Sequence, residues 1–306
     1  MTTILRVAHN VGMDEMLALS DGGHTVTAIL ANTDQILPER GISCRQVSAA
    51  RLPNVSRAFG RLRFHHEIRV SDDAKTAQAL LTDHQIRGSV KSYLLRATAG
   101  DEIDSCLQDL DLDLFDRILV TSNITEEYLR RRHALPVPVE QIRFVNGPAQ
   151  TPSLGGPITS LTWIGSAHPN EGVQDFLRIL SLTGLSAQIL WTSPPAPERF
   201  TSVVATMSLL GVTDRVRFSW PGPFEGFLST IQSTMHHTLW VSTARAYAPR
   251  SAVELILHLG GRVVSFDSIY AMELAEQFPD HLTLTPEGSA PDAAAAVQAL
   301  AEKEIP

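Results

Sequence analysis

Trp240-Val-Ser-Thr-Ala-Arg-Ala-Tyr-Ala-Pro-Arg-Ser-Ala-Val-Glu-Leu-Ile-Leu-His-Leu-Gly-Gly-Arg-Val-Val-Ser-Phe266 decides the fold. It reads as a buried strand and a loop of arginines and small residues. A short apolar helix with a single acid, Glu254, follows, then Gly260-Gly261 and a second buried strand. A strand, a helix and a strand of this kind make one crossover unit of a parallel sheet. An acid in the first turn of a helix, just past a strand end, lies where open α/β sheets receive ligands.

The same alternation runs outward through the second half of the chain. Strands are expected over 159–165, 187–191, 215–218, 238–241, 262–266 and 281–285. Helices are expected over 173–182, 200–210, 224–233, 251–259, 270–277 and 291–303. Short apolar strands separated by helices of about ten residues indicate a parallel sheet covered on both faces. The first half alternates less regularly. Strands are expected over 3–8, 24–30, 42–47, 62–70, 115–122 and 142–145, and helices over 13–20, 71–81, 101–112 and 125–133. In the 71–81 helix Ser71 would cap, with Asp72 and Asp73 favouring the dipole. Pro53 and Gly60 suggest a loop with a broken helix over 52–62. Gln150 to Pro157, polar and rich in Gly and Pro, is the best linker. The expected organisation is therefore a first Rossmann-like domain over 1–150, a linker over 151–157 and a second Rossmann-like domain over 158–306. Their strand ends would face one another across a ligand cleft.

The chain has 306 residues, 43% hydrophobic and 19% charged, within the range of globular proteins. A net charge of -8 argues against nucleic acid as a partner. Only three of the 25 basic residues are lysines: Lys75, Lys91 and Lys303. Cys44 and Cys106 have no metal or redox spacing and read as two buried, reduced thiols. The first residues lack a signal-peptide pattern, and no run reaches the roughly 20 apolar residues of a membrane span. A cytoplasmic protein without a transmembrane segment is expected. Apart from the adjacent pair His236-His237, which cannot chelate from one strand face, no metal spacing occurs.

Four pieces, in order, resemble the retaining GT-B glycosyltransferases of the family 4-like type. They are HTVT at 24–27; FDRILVTS at 115–122, with the approach to Asn146-Gly147; GVTDRVRFSWPGP at 211–223; and residues 238–266. The resemblance implies transfer of a sugar from a nucleotide diphosphate sugar with retention of configuration. The donor would sit mainly in the second domain. The nucleotide sugar is a co-substrate, and no cofactor or metal is expected.

Glu254 matches the second acid of the family's pair, which accepts hydrogen bonds from the ribose hydroxyls; the plain alternative is an acid favouring its helix dipole. The first acid of the pair falls on Ala246, and the glycines after it become Tyr247-Ala248-Pro249. Where the family carries an Arg and a Lys to neutralise the diphosphate, this chain has Ser166, His168, Asn170 and Glu171.

A leaving diphosphate needs positive charge, and Arg245 and Arg250 are the candidates, helped by N–H groups at the start of the Ser251 helix. His9 completes the catalytic set from the end of the first strand. Gly12, Gly165 and Ser166 would let a phosphate approach the backbone, while Trp220 and Tyr247 would touch the base and the sugar. Asn10, His65 and His84 are candidate acceptor contacts. A second reading is a non-catalytic relative that binds a nucleotide or a partner glycosyltransferase.

Overall fold

The computed structural model describes residues 2–8, 24–31, 42–71, 74–86, 88–95, 100–142, 157–165, 171–192, 195–220, 224–235, 237–245 and 251–303. The chain divides into two compact units, Met1–Asn146 and Gly147–Pro306.

The first unit is built on seven parallel strands: β1 Thr3–Ala8, β2 Thr25–Leu30, β3 Ile42–Gln46, β4 His65–Val70, β5 Gly88–Leu95, β6 Arg117–Val120 and β7 Val139–Gln141. Their order is β3-β2-β1-β4-β5-β6-β7. The helices are α1 Leu52–Leu62, α2 Ala74–Leu81, α3 Gly100–Gln108 and α4 Asn123–Arg132. All four pack on one face of the sheet, where Leu5, Val7, Ile68, Val70, Tyr93, Leu95, Ile118 and Val120 meet Leu52, Leu80, Ile103 and Leu129. Side chains alternate along a strand, so the residues between these point to the other face. There Arg6, Arg69, Ser92 and Arg117 stand side by side in register across four strands. Glu67 pairs with Arg69 at 3.0 Å and with Arg117 at 3.5 Å.

The second unit has six parallel strands: β8 Ser160–Gly165, β9 Ser186–Trp191, β10 Val216–Ser219, β11 Thr238–Ser242, β12 Val263–Phe266 and β13 Leu282–Thr285. Their order is β10-β9-β8-β11-β12-β13. The helices are α5 Val173–Ser181, α6 Pro197–Leu209, α7 Phe224–Thr234, α8 Ser251–His258, α9 Ile269–Gln277 and α10 Ala290–Lys303. Leu161, Trp163, Phe176, Leu180, Ile189, Val203, Val241, Phe266 and Val297 form its largest core. β11 and β12 are buried at every position, as expected for strands covered on both faces.

Several expectations are corrected. Residues 52–62 form one continuous helix, because Pro53 sits at its first turn, where a missing N–H costs nothing. Gly60 lies inside that helix because a methyl group there would come 3.1 Å from Ile86. β5 was not foreseen: it opens on glycine and carries Lys91 and two serines, yet it pairs along both edges. A strand not expected from the sequence occupies Val139–Gln141, and most of the expected strand at 142–145 lies outside the described residues. Cys44 is exposed because β3 is an edge strand, while Cys106 is half-buried; both are free thiols. Ser71 Oγ accepts from Arg6 Nη2 at 2.9 Å, and the first residues of the helix it was expected to cap lie outside the described residues. The expected helix at 13–20 and acids Asp72 and Asp73 lie outside the described residues, as does most of the 151–157 linker. Among the described residues no helix is long and apolar enough to cross a membrane.

Candidate functional site

The chain order reverses direction around β8. β9 and β10 lie on one side of it and β11 to β13 on the other. The β8/β11 boundary is thus the switch point of the second sheet, where diverging connections open a crevice at the strand ends. β8 ends at Gly165, and its connection leads to α5; β11 leads through Thr243 and Arg245 to α8.

Small residues and one indole hold these two connections together. A methyl group on Gly165 would lie 2.1 Å from Glu171 Oε2 and 2.7 Å from the Trp163 ring, so the Glu171 carboxylate rests against the bare Cα. Trp163, 1% exposed, donates its Nε1–H to Thr243 Oγ1 at 3.2 Å and to the Glu171 carbonyl at 3.3 Å. The Thr243 hydroxyl donates in turn to the Gly172 carbonyl at 2.7 Å. Gly172 opens α5 with φ of 71°, and a side chain there would come within 2.3 Å of the Thr243 carbonyl oxygen. Only glycine tolerates both the left-handed backbone and that approach.

The charge at this corner is mixed. Asp175, buried in the first turn of α5, accepts from Arg178 at 2.8 Å and from Arg245 at 3.3 Å. Arg245 is exposed and is tied by this ion pair to the amino end of α5. Glu254 is 8% exposed in the first turn of α8, and one of its oxygens, Oε2, accepts from the Tyr270 hydroxyl at 2.8 Å. Tyr270 belongs to α9, so two successive crossover helices of the second sheet meet at this carboxylate.

Gly165, Arg245, Ser251 and Glu254 therefore stand on the connections at the strand ends of β8 and β11. Trp220 follows β10, with β9 between it and β8, and is 56% exposed rather than part of the core. The first unit has its own switch point between β1 and β4. His65 opens β4 at the far, amino end of that sheet, and His84 is exposed in the turn after α2 at the same end. Neither is brought to the strand ends where such folds bind ligands. His65 is 4% exposed, and neither ring nitrogen completes a hydrogen bond of normal geometry. Burial pushes its pKa down. His9, Asn10, Gly12, Ser166, Tyr247 and Arg250 lie outside the described residues. Among the described residues, no group of three or more His, Cys, Asp or Glu is arranged to hold a metal ion.

Sequence reading missed Trp163, Thr243, Asp175 and Tyr270. The first two act by hydrogen bonds across about 80 residues, and Tyr270 reaches Glu254 from the next helix. Only Asp175 carries a local signal, as an acid three residues past a glycine cap.

No family model and no curated protein sequence matches the chain. Solved structures do. Anabaena HepE in complex with UDP and glucose is 13% identical, over 99% of this chain and 90% of that one, with a TM-score of 0.70. Sucrose-phosphate synthase from Thermosynechococcus elongatus is also 13% identical, over 99% and 90%, at 0.67. The lipopolysaccharide outer core galactosyltransferase WaaB, in its apo form, is 12% identical over 100% and 92%, at 0.61. At such identities the likeness speaks for the architecture alone: the chain has the GT-B fold, two Rossmann-like units each built on a parallel sheet.

Proposed function

We propose that this chain transfers a sugar from a nucleotide diphosphate sugar to an acceptor, with retention of configuration and without a metal ion. The observation that carries the reading is Glu254, a buried carboxylate beside the switch point with one oxygen held by Tyr270. Its fold is shared with HepE, whose structure holds UDP and glucose.

In this reading Glu254 accepts hydrogen bonds from the ribose hydroxyls, a charge-assisted contact of about 1.5–3 kcal/mol. Arg245 and Arg250 stabilise the charge that gathers on the leaving diphosphate, with N–H groups at the start of α8 aiding them. Gly165 and Ser166, and Gly12 in the first unit, let phosphate oxygens approach the backbone. Trp220 stacks on the base and Tyr247 meets the sugar. His9 belongs to the catalytic set, and Asn10 contacts the acceptor. The acceptor hydroxyl attacks on the face the diphosphate leaves, and a phosphate oxygen takes its proton. No protein nucleophile is needed.

Transfer assays with a panel of UDP-, GDP-, ADP- and dTDP-sugars test this. Failure to bind any nucleoside diphosphate sinks it.

One observation favours the second reading, a nucleotide-binding protein without turnover. Two acids, Glu171 and Asp175, occupy the amino end of α5, and Asp175 already holds Arg245. Carboxylates beside a diphosphate repel it. Under that reading UDP or a relative raises the melting temperature, while neither transfer nor donor hydrolysis is detected. Under the first, Arg245→Ala lowers turnover at least tenfold, because a transition-state contact is lost.

A further inference from the structure

Residues 40–66 contain six arginines and no aspartate or glutamate. The whole chain carries a net charge of -8, so everything outside this segment carries -8 - 6 = -14. Positive charge is thus concentrated in one stretch of an otherwise acidic protein. The stretch spans the edge strand β3, α1 and the entry to β4.

α1 buries Leu52, Ser56 and Gly60 against the first sheet. Helical periodicity turns Arg51, Asn54, Ala58, Arg61 and Leu62 to the opposite side, and all five are exposed. Beyond the helix end the chain stays exposed through Leu62-Arg63-Phe64. Leu62 is 73% and Phe64 53% exposed, among the largest apolar exposures of the described residues. Arg45, also exposed, lies over the half-buried Phe59 ring at 5.3 Å. Arg61 is bound to Asp83. Arg57 donates to Asn54 at 2.5 Å. The face therefore combines a pair of exposed large apolar side chains with a surplus of guanidinium groups.

We propose that this face docks on an anionic lipid bilayer. Leu62 and Phe64 enter the headgroup layer, and the arginines around them bind lipid phosphates. A single exposed leucine requires no explanation. Two large apolar groups flanking an arginine, at the end of a helix whose outer face carries Arg51 and Arg61, match the two requirements of interfacial binding. A nucleic acid would satisfy the arginines but leave Leu62 and Phe64 in water. A bilayer surface satisfies both groups at once. The inference does not depend on sugar transfer, since it rests on the first unit alone.

Co-sedimentation of the full chain with vesicles tests it. The protein binds vesicles of phosphatidylcholine with phosphatidylglycerol, leaves them as salt is raised, and stays free of vesicles of phosphatidylcholine alone. The double variant Leu62→Ser with Phe64→Ser lowers partitioning about tenfold or more. Arg51→Gln and Arg63→Gln each lower it about fivefold. Leu182→Ser, at an exposed leucine of the second unit, leaves it unchanged. All these side chains are exposed, and unchanged melting curves establish that the variants fold. Absence of binding to anionic vesicles overturns the proposal. So does binding indifferent to the loss of Leu62 and Phe64, or tighter binding to RNA than to vesicles.

Discussion

Glu254 and Tyr270 are sixteen residues apart and meet through one hydrogen bond of 2.8 Å. A buried carboxylate in the first turn of a helix gains from the dipole, but that leaves its rotamer open. The phenol fixes it by occupying Oε2. If Glu254 grips a ribose, Tyr270 is a positioning residue for that grip. Tyr270→Phe is then expected to weaken UDP binding about fivefold to tenfold, or about 1–1.4 kcal/mol of lost positioning. It should weaken binding of 2′,3′-dideoxyuridine diphosphate far less. Titration calorimetry of both ligands reads the ratio; an equal loss for both would show that the phenol only supports the fold.

His65 is the second residue whose environment makes a prediction. Burial lowers its pKa from 6.5, a shift the backbone at Phe59 opposes. The folded protein therefore binds this proton less readily than the unfolded chain. Stability is fully present above the unfolded value and is lost as pH falls below 6.5 toward the folded value. His65→Phe should flatten the pH dependence of urea stability below about pH 6.5.

At the level of elements, the strands legible from sequence were those whose burial leaves a continuous apolar run. β1, β8, β9, β11 and β12 were read to within a residue or two, because a parallel strand covered on both faces has no polar side to dilute the signal. β5 was lost for the converse reason. Its first five residues, Gly88 to Ser92, contain a single apolar side chain, and Ser92 lies on the sheet face that carries Arg69 and Arg117. α1 was read as broken because proline and glycine were taken at face value; their positions, at the first turn and against Ile86, are tertiary facts. At the candidate site Glu254, Gly165 and Arg245 could be named from their place after strands. The bracing between connections could not, since Trp163 and Thr243 are 80 residues apart. That bracing is testable. Thr243→Val keeps the shape of the side chain but removes its hydrogen bonds with the Trp163 N–H and with the Glu171 and Gly172 carbonyls. The expected loss is about 1–3 kcal/mol of unfolding free energy, measured by urea denaturation with unchanged slope. A loss below a few tenths would mean that other contacts hold the two connections.

The molecule as a whole consists of two units with separate sheets and separate cores. Apart from Gly12, the residues proposed to hold the donor belong to the second unit: Gly165, Ser166, Trp220, Arg245, Tyr247, Arg250, Ser251 and Glu254. The base, ribose and diphosphate contacts are thus expected from one sheet and its switch point. A polypeptide covering residues 147–306 has its own hydrophobic core around Trp163, Phe176 and Phe266 and a complete six-stranded sheet. Domains of this size fold independently. It should unfold cooperatively and bind the same nucleoside diphosphate as the full chain, within about tenfold in affinity. At 100 times the dissociation constant the ligand would add about 2.7 kcal/mol to its stability, a clear rise in melting temperature. The complementary polypeptide, 1–146, should fold without responding to the nucleotide. A response confined to 1–146 would relocate the donor to the β1/β4 switch point and remove Glu254 from the reaction. A response from neither half, with one from the full chain, would overturn the assignment of the donor to the second unit alone.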